Sequence, residues 1–251
     1  MIACICELQS ADTSKCFNRI TYHKNGWLIM ARFIQAEANK GSQKWIQKLV
    51  NEKPQLLNSL ILSNRFVAEK DEIQWLSPLK EDGYAEYRDE ACLELLKVDL
   101  KSYPLKDFWP KNGPQWDALG KSISGKLFLV EAKSHIPELI SNLKASNQAS
   151  TDKIFSSFKQ VREHFGSKTD FDWSKTFYQY ANRLAHVDLL RRNGLSAYLL
   201  FVYFLNDSEM SGPTTSDEWK GAIRLVHCCL GLQKRLLKNF VADLFIDVRN
   251  L

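Results

Sequence analysis

Long apolar runs are missing from this chain of 251 residues. The longest, Ala197 to Leu205, has nine residues, against roughly 20 for a helix that crosses a bilayer. No membrane-spanning segment is therefore expected. A secretory leader is not in evidence either: Met1 to Leu8 is apolar, but Glu7 interrupts it and no basic stretch precedes it. Together these absences predict a cytoplasmic protein with no membrane partner. Glycine and proline are scarce, with 11 and 7 copies, roughly 7% of the chain where about 12% is usual. Collagen-like and low-complexity architectures are excluded, and regular elements are favoured. The six cysteines show no metal-ligand spacing. Cys4, Cys6 and Cys16 offer at most three ligands of a zinc site, so free thiols in a reducing compartment are the simpler expectation. There is no Walker glycine loop, no GxSxG, no HExxH and no dinucleotide fingerprint.

What is present is ordinary globular material, 45% hydrophobic and 25% charged, enough to build a sizeable core. The net charge of +5 suits an anionic partner without requiring one. The first twenty residues have no clean period and read as an arm or an edge strand. A helical pattern follows through Trp27, Ile29, Met30 and Phe33. Ser42 reads as the cap of a helix reaching Val50, with Trp45, Ile46, Leu49 and Val50 on one stripe. Pro54 stops it, and Leu56 to Leu62 starts another. Residues 1–80 are accordingly expected to form a helical accessory region, and residues 81–251 the main domain.

Within the main domain, Tyr84, Tyr87, Ala91, Leu95 and Val98 predict a helix over residues 82–98. Pro104, Pro110, Gly113 and Pro114 make residues 101–114 a connector. Trp116 to Gly120 and Lys126 to Ala132, separated by Lys121-Ser122-Ile123-Ser124-Gly125, have the form of a β-hairpin. Helices are expected near residues 151–165 and 174–193, the second ended by Gly194. Leu195 to Leu205 reads as a strand, Thr215 to Leu230 as a helix, and Phe240 to Val248 as a last strand. The fold class expected is α/β, a mixed sheet flanked by helices.

The chemistry is concentrated around the hairpin. Glu131 and Lys133 end a strand whose four preceding residues are apolar, and alternation puts both on one face. Charges in such a place need a partner or a metal. If Asp117 pairs with Glu131, the midpoint falls on Ser124 beside the turn-forming Gly125. Opposed residues then have Cβ atoms about 4.5–5.5 Å apart, close enough for two carboxylates to share one cation. Two carboxylates with several waters is the usual arrangement for Mg²⁺. A structural ion pair of Lys133 with Glu131 or Asp117 is the other reading. Further along, Gln179, Arg183 and His186 share a helical face, which is either an exposed flank or a surface beside the site. Trp45, Trp173 and Trp219 sit in apolar helical patterns and read as core.

Asp117, thirteen intervening residues, then Glu131-Ala132-Lys133 resembles the PD-(D/E)XK nuclease superfamily, the restriction-endonuclease-like proteins. The lead-in Gly113-Pro114-Gln115-Trp116-Asp117-Ala118-Leu119 and the strand Leu129-Val130-Glu131-Ala132-Lys133 are similar to an uncharacterised bacterial branch of it. Trp116 stands where the name-giving proline would be. The likeness covers roughly residues 82–205 and implies a restriction-endonuclease-like core. It also implies a nuclease that hydrolyses phosphodiester bonds in nucleic acid, DNA before RNA, with Mg²⁺ or Mn²⁺. Asp117 and Glu131 would be the metal carboxylates and Lys133 the catalytic lysine. Glu86, and after it Glu90, would supply the carboxylate that many members carry before the hairpin; solvated surface charges are the alternative. Gln179 and Arg183 would contact nucleic acid, although some branches have tyrosine where Arg183 stands. A homodimer that cuts both strands, and a catalytically inactive module that binds nucleic acid or a protein, are both compatible with the resemblance.

Overall fold

The computed structural model describes residues 31–251; the readings made for Met1 to Met30, including Cys4, Cys6 and Cys16, lie outside it. A short strand β1 (Arg32–Phe33) precedes helices α1 (Gly41–Glu52) and α2 (Pro54–Ser63), then β2 (Ile73–Ser77) and β3 (Glu86–Tyr87). Helices α3 (Asp89–Leu96) and α4 (Leu105–Phe108) lead into the hairpin β4 (Ala118–Ser122) and β5 (Leu127–Lys133). After α5 (Gln148–His164) and α6 (Tyr178–Arg192) comes β6 (Ala197–Leu205), and α7 (Ser216–Leu230) and α8 (Lys234–Leu237) precede β7 (Val241–Asp247).

Five strands form one mixed sheet in the order β2-β4-β5-β6-β7. The β2–β4 and β4–β5 pairs are antiparallel, while β5–β6 and β6–β7 are parallel. The protein is thus α/β with a mixed sheet between helical layers, as its pattern of elements predicts. Alternation along the strands divides the core. Phe128, Val130, Leu200, Val202, Phe204, Leu244 and Ile246 face α1 and α2, meeting Ile46, Leu49, Leu57 and Ile61. Leu127, Leu129, Leu199, Phe201 and Tyr203 face the opposite layer, built on Val161, Leu184, Trp219 and their neighbours from α5, α6 and α7. Trp173 and Trp219 are core residues, while Trp45 reaches from α1 to donate its indole N–H to Asp207 at 2.7 Å.

Several local expectations are corrected. Within the described part of residues 1–80, β2 is the edge strand of the main sheet and α1 and α2 share its core. That stretch is therefore neither wholly helical nor set apart from the rest. Phe33 lies in β1, not in a helix. Ser42 does not cap α1: Lys40 holds the cap position and Gly41, at φ +69°, opens the helix. The Ser42 hydroxyl instead donates to Glu138 at 3.3 Å. The helix predicted over residues 82–98 is broken, because Gly83, Tyr84 and Asp89 all have positive φ, a conformation no continuous right-handed helix contains. Only Asp89–Leu96 is helical, and Glu86 lies on β3, opposite Phe33 of β1.

Candidate metal-assisted active site

The hairpin register is the first determinant of the site. Ala118 pairs with Val130, Leu119 with Leu129, Gly120 with Phe128 and Lys121 with Leu127. The ladder ends at Ala118 and Val130, and Asp117 and Glu131 lie one step beyond it. The Asp117 backbone N–H donates to the carbonyl of Val130 at 3.2 Å, so residues 117 and 118 both oppose Val130 and the ladder is irregular at this end. Its Oδ2 accepts from the N–H of Ala132 at 2.7 Å, which fixes the carboxylate over the end of β5. The bond between the Trp116 N–H and the Tyr87 carbonyl, 3.1 Å, then ties β3 to this lead-in, and so brings Glu86 to the same place.

Glu131 is 2% exposed, Lys133 8%, Glu86 6% and Arg183 5%. Four ionisable groups this deep survive only by mutual compensation. Lys133 Nζ donates to Glu131 Oε1 at 2.6 Å and to Gln179 Oε1 at 3.1 Å. Arg183 Nε donates to Glu131 Oε2 at 2.6 Å, and its Nη2 to the carbonyl of Gln115 at 2.8 Å. Gln115 in turn donates to Glu86 Oε2 at 2.5 Å, with Gln35 donating to the same oxygen at 3.2 Å. Helix α6 therefore presents Gln179 and Arg183 one turn apart to the end of β5.

The electrostatics follow from this wiring. Burial raises the Glu131 pKa, but the Arg183 and Lys133 charges outweigh it and hold the group below the usual carboxylate range. Burial likewise opposes the Lys133 ammonium, yet Glu131 and Asp117 keep its pKa above normal. Asp117 is less well compensated: burial, and then the charges of Glu131 and Glu86, push its pKa well above the usual value against weaker pulls from Lys133 and the Ala132 N–H. Burial also raises Glu86, helped by Glu131 and opposed by the Gln115 hydrogen bond. Three carboxylates thus meet two cations, and the excess negative charge falls on Asp117 and Glu86.

These groups form the floor of a cavity of about 1090 Å³. One wall is the connector with Lys111, Asn112 and Gln115; the other is the segment from Ile140 to Asn147 that leads into α5. Asp117, Glu131, Lys133, Glu86, Gln179 and Arg183 all line it. His186 does not share it: the ring is buried against Trp109 with centroids 4.7 Å apart, and burial lowers its pKa to about 3. Glu90 is exposed on α3, away from the floor. Asp89 has a scaffolding place, accepting from the N–H groups of Asn112 and Gly113 at 3.0 and 2.8 Å. Gln115 was not singled out from sequence, although it lies two residues before Asp117 in an extended lead-in, the spacing that returns a side chain to the same face.

Among the described residues, no group of three or more His, Cys, Asp or Glu side chains is arranged to hold a metal ion. Asp117 and Glu131 would be the residues to hold Mg²⁺ or Mn²⁺, as two carboxylates only. One or two carboxylates, completed by waters and substrate phosphate, is the common Mg²⁺ arrangement. Asp117 keeps Oδ1 for such a role, with only Oδ2 bonded to the backbone, and Glu131 retains lone pairs beyond the two that it gives to Lys133 and Arg183. Comparisons with protein-family models, curated proteins and solved structures find no match for the chain. Among the described residues no helix is long and apolar enough to cross a membrane.

Proposed function

We propose that the protein is a metal-dependent nuclease that hydrolyses phosphodiester bonds in DNA, with a core of the restriction-endonuclease-like type. The observation that supports this best is the convergence of Asp117, tied to the end of β5 by the Ala132 N–H, with Glu131 and Lys133 on the floor of one cavity. Asp117 and Glu131 would hold Mg²⁺ or Mn²⁺, with Glu86 beside them and Gln115 fixing its orientation. When bound, the ion would activate a water and neutralise charge on the scissile phosphate. Lys133 carries a permanent positive charge, aimed by Glu131 and Gln179, to the place where charge develops on the phosphate. Arg183 holds Glu131 in its rotamer. It would act on the substrate through that positioning, while Gln179 reaches the cavity itself. The Lys133 ammonium is held charged, so it stabilises negative charge and does not serve as a general base.

The test needs no knowledge of the sequence cut. Titration with Mn²⁺ by calorimetry should show binding to wild type that disappears in Asp117→Ala, with metal-dependent cleavage of DNA lost in the same variant. The Asp117→Ala melting temperature should stay level or rise, because the change removes a repelled carboxylate. No Mn²⁺ binding and no cleavage by well-folded wild type, with or without DNA, would sink the proposal. A second reading, a nuclease-fold module that binds nucleic acid or a protein without cutting, is favoured by one observation. Both oxygens of Glu131 are already engaged by cations at 2.6 Å, as in a structural ion triad.

A further inference from the structure

Resting on the nuclease reading and deepening it, we propose that the cavity takes an unpaired stretch of DNA, with one nucleobase seated against Tyr178 and Asn182. The floor is deep and walled on two sides by loops. A volume of about 1090 Å³ is at the upper end of small-ligand pockets, about 300–1,000 Å³. A space of that size would take a few nucleotides. A phosphate in stacked duplex rides on the outside of a stiff rod whose bases stay paired. An unpaired strand bends freely and splays its bases toward side chains.

The wall supplies what a splayed base requires. Asn182 is 3% exposed, and its Nδ2 donates to the Tyr178 hydroxyl at 3.2 Å. Its Oδ1 is buried and has no hydrogen-bond partner among the described residues; Asn182 lies in the cavity wall with Tyr178 and Ile154, so a small turn of the amide would bring the oxygen to the cavity. A buried amide oxygen without a donor is a standing deficit in the folded protein. The exocyclic amine of adenine or cytosine would supply that donor. In duplex the amine keeps one hydrogen for its pair and offers the other only along the open major groove, so a base that enters the wall itself does so unpaired. Tyr178, half-buried in the same wall, would provide the flat contact that accompanies such recognition. Asn182 follows Gln179 by three residues on α6, so the base would lie about one helical turn from the reacting floor. The exposed Lys111 and Lys144 on the two walls are placed for the phosphates on either side.

The experiment uses the full chain carrying Asp117→Asn, which separates binding from turnover, and fluorescein-labelled 12-mers read by anisotropy over a salt series. Single-stranded oligo(dA) and oligo(dC) are expected to bind at least tenfold tighter than a blunt duplex, and tighter than oligo(dT). Asn182→Ala should weaken oligo(dA) about tenfold and abolish the preference over oligo(dT), while leaving duplex affinity unchanged. Lys111→Ala and Lys144→Ala, both at exposed positions, should each reduce the salt slope for single strands by about one. Equal or tighter duplex binding would overturn the proposal, as would equal losses on both substrates in a folded Asn182→Ala protein. Selective single-strand binding by a wild type that neither binds Mn²⁺ nor cleaves would retain this proposal and sink the nuclease reading. Cleavage of duplex with no single-strand preference would do the reverse.

Discussion

The two faces of the central sheet are made by the same strands, yet they are different materials. Toward α1 and α2, strands β5, β6 and β7 present Phe128, Val130, Leu200, Val202, Phe204, Leu244 and Ile246. Toward the α6 side the intervening positions include Glu131, Lys133, Tyr203 and Asp243. A period of two lets one strand serve a dry layer and a charged layer at once. The dry face holds the strands in register. The charged face uses that rigidity to keep groups together that would otherwise separate or neutralise. Function here depends on a core that takes no part in the chemistry.

The sharpest way to break this comparison is to remove Glu131. Glu131→Ala leaves Lys133 and Arg183 buried without their carboxylate, and is expected to destabilise by about 3–5 kcal/mol and abolish cleavage. Chemical denaturation checks the first effect and a cleavage assay the second. Glu131→Gln should fold better than the alanine variant but remain inactive. On the dry face, Leu200→Ala should destabilise by about 3 kcal/mol through a cavity, yet preserve Mn²⁺ binding well below its melting temperature. If Leu200→Ala abolished metal binding in folded protein, the division of labour between the faces would be wrong.

The smallest effect concerns Asp243, at the far edge of the charged face. Burial raises its pKa to about 6, against a weaker opposing pull from Lys234, and its Oδ1 has no partner among the described residues. Between pH 4 and pH 6 the folded state keeps a proton that the unfolded chain has released. Wild-type stability contributed by this group therefore falls as pH rises through that window and is level above it. Asp243→Asn should escape the fall. Its advantage over wild type should be absent at pH 4 and reach about 2 kcal/mol at pH 7, read from paired denaturation curves. A constant difference at both pH values would remove the pH-dependent role.

How far the sequence could be read depends on how local the interactions are. The hairpin register is legible because Gly125 and the alternation of residues 127–133 fix it within eighteen or so residues; the direct pairing of Asp117 with Glu131 falls one step beyond the last pair of the ladder. Strands β6 and β7 were legible from their length and aromatic content, and α7 from its periodicity. Strand β2 was not, since Ile73–Ser77 is short and becomes a strand only by pairing with β4. Glu86 reaches the cavity from β3 and not from the helix that its spacing predicts. Tyr84, Tyr87 and Ala91 happen to keep helical spacing, while the positive φ values at Gly83, Tyr84 and Asp89 come from turns stabilised elsewhere. The role of Arg183 was hidden for the same reason: a basic residue on a helix gives no sign that its partner will be Glu131, 52 positions away.

That separation has a consequence for the order of events during folding. The hairpin joins residues close in sequence, so its loop closes early and at low entropic cost. Closing it brings Asp117 and Glu131 together before α6 has delivered Arg183. The nascent hairpin therefore carries a repulsion that Lys133 offsets in part and that the later, long-range docking of Arg183 on α6 offsets further. Each part is poor alone and sound together, which is a source of cooperativity. The pair of like charges at the hairpin mouth links completion of the site to completion of the fold.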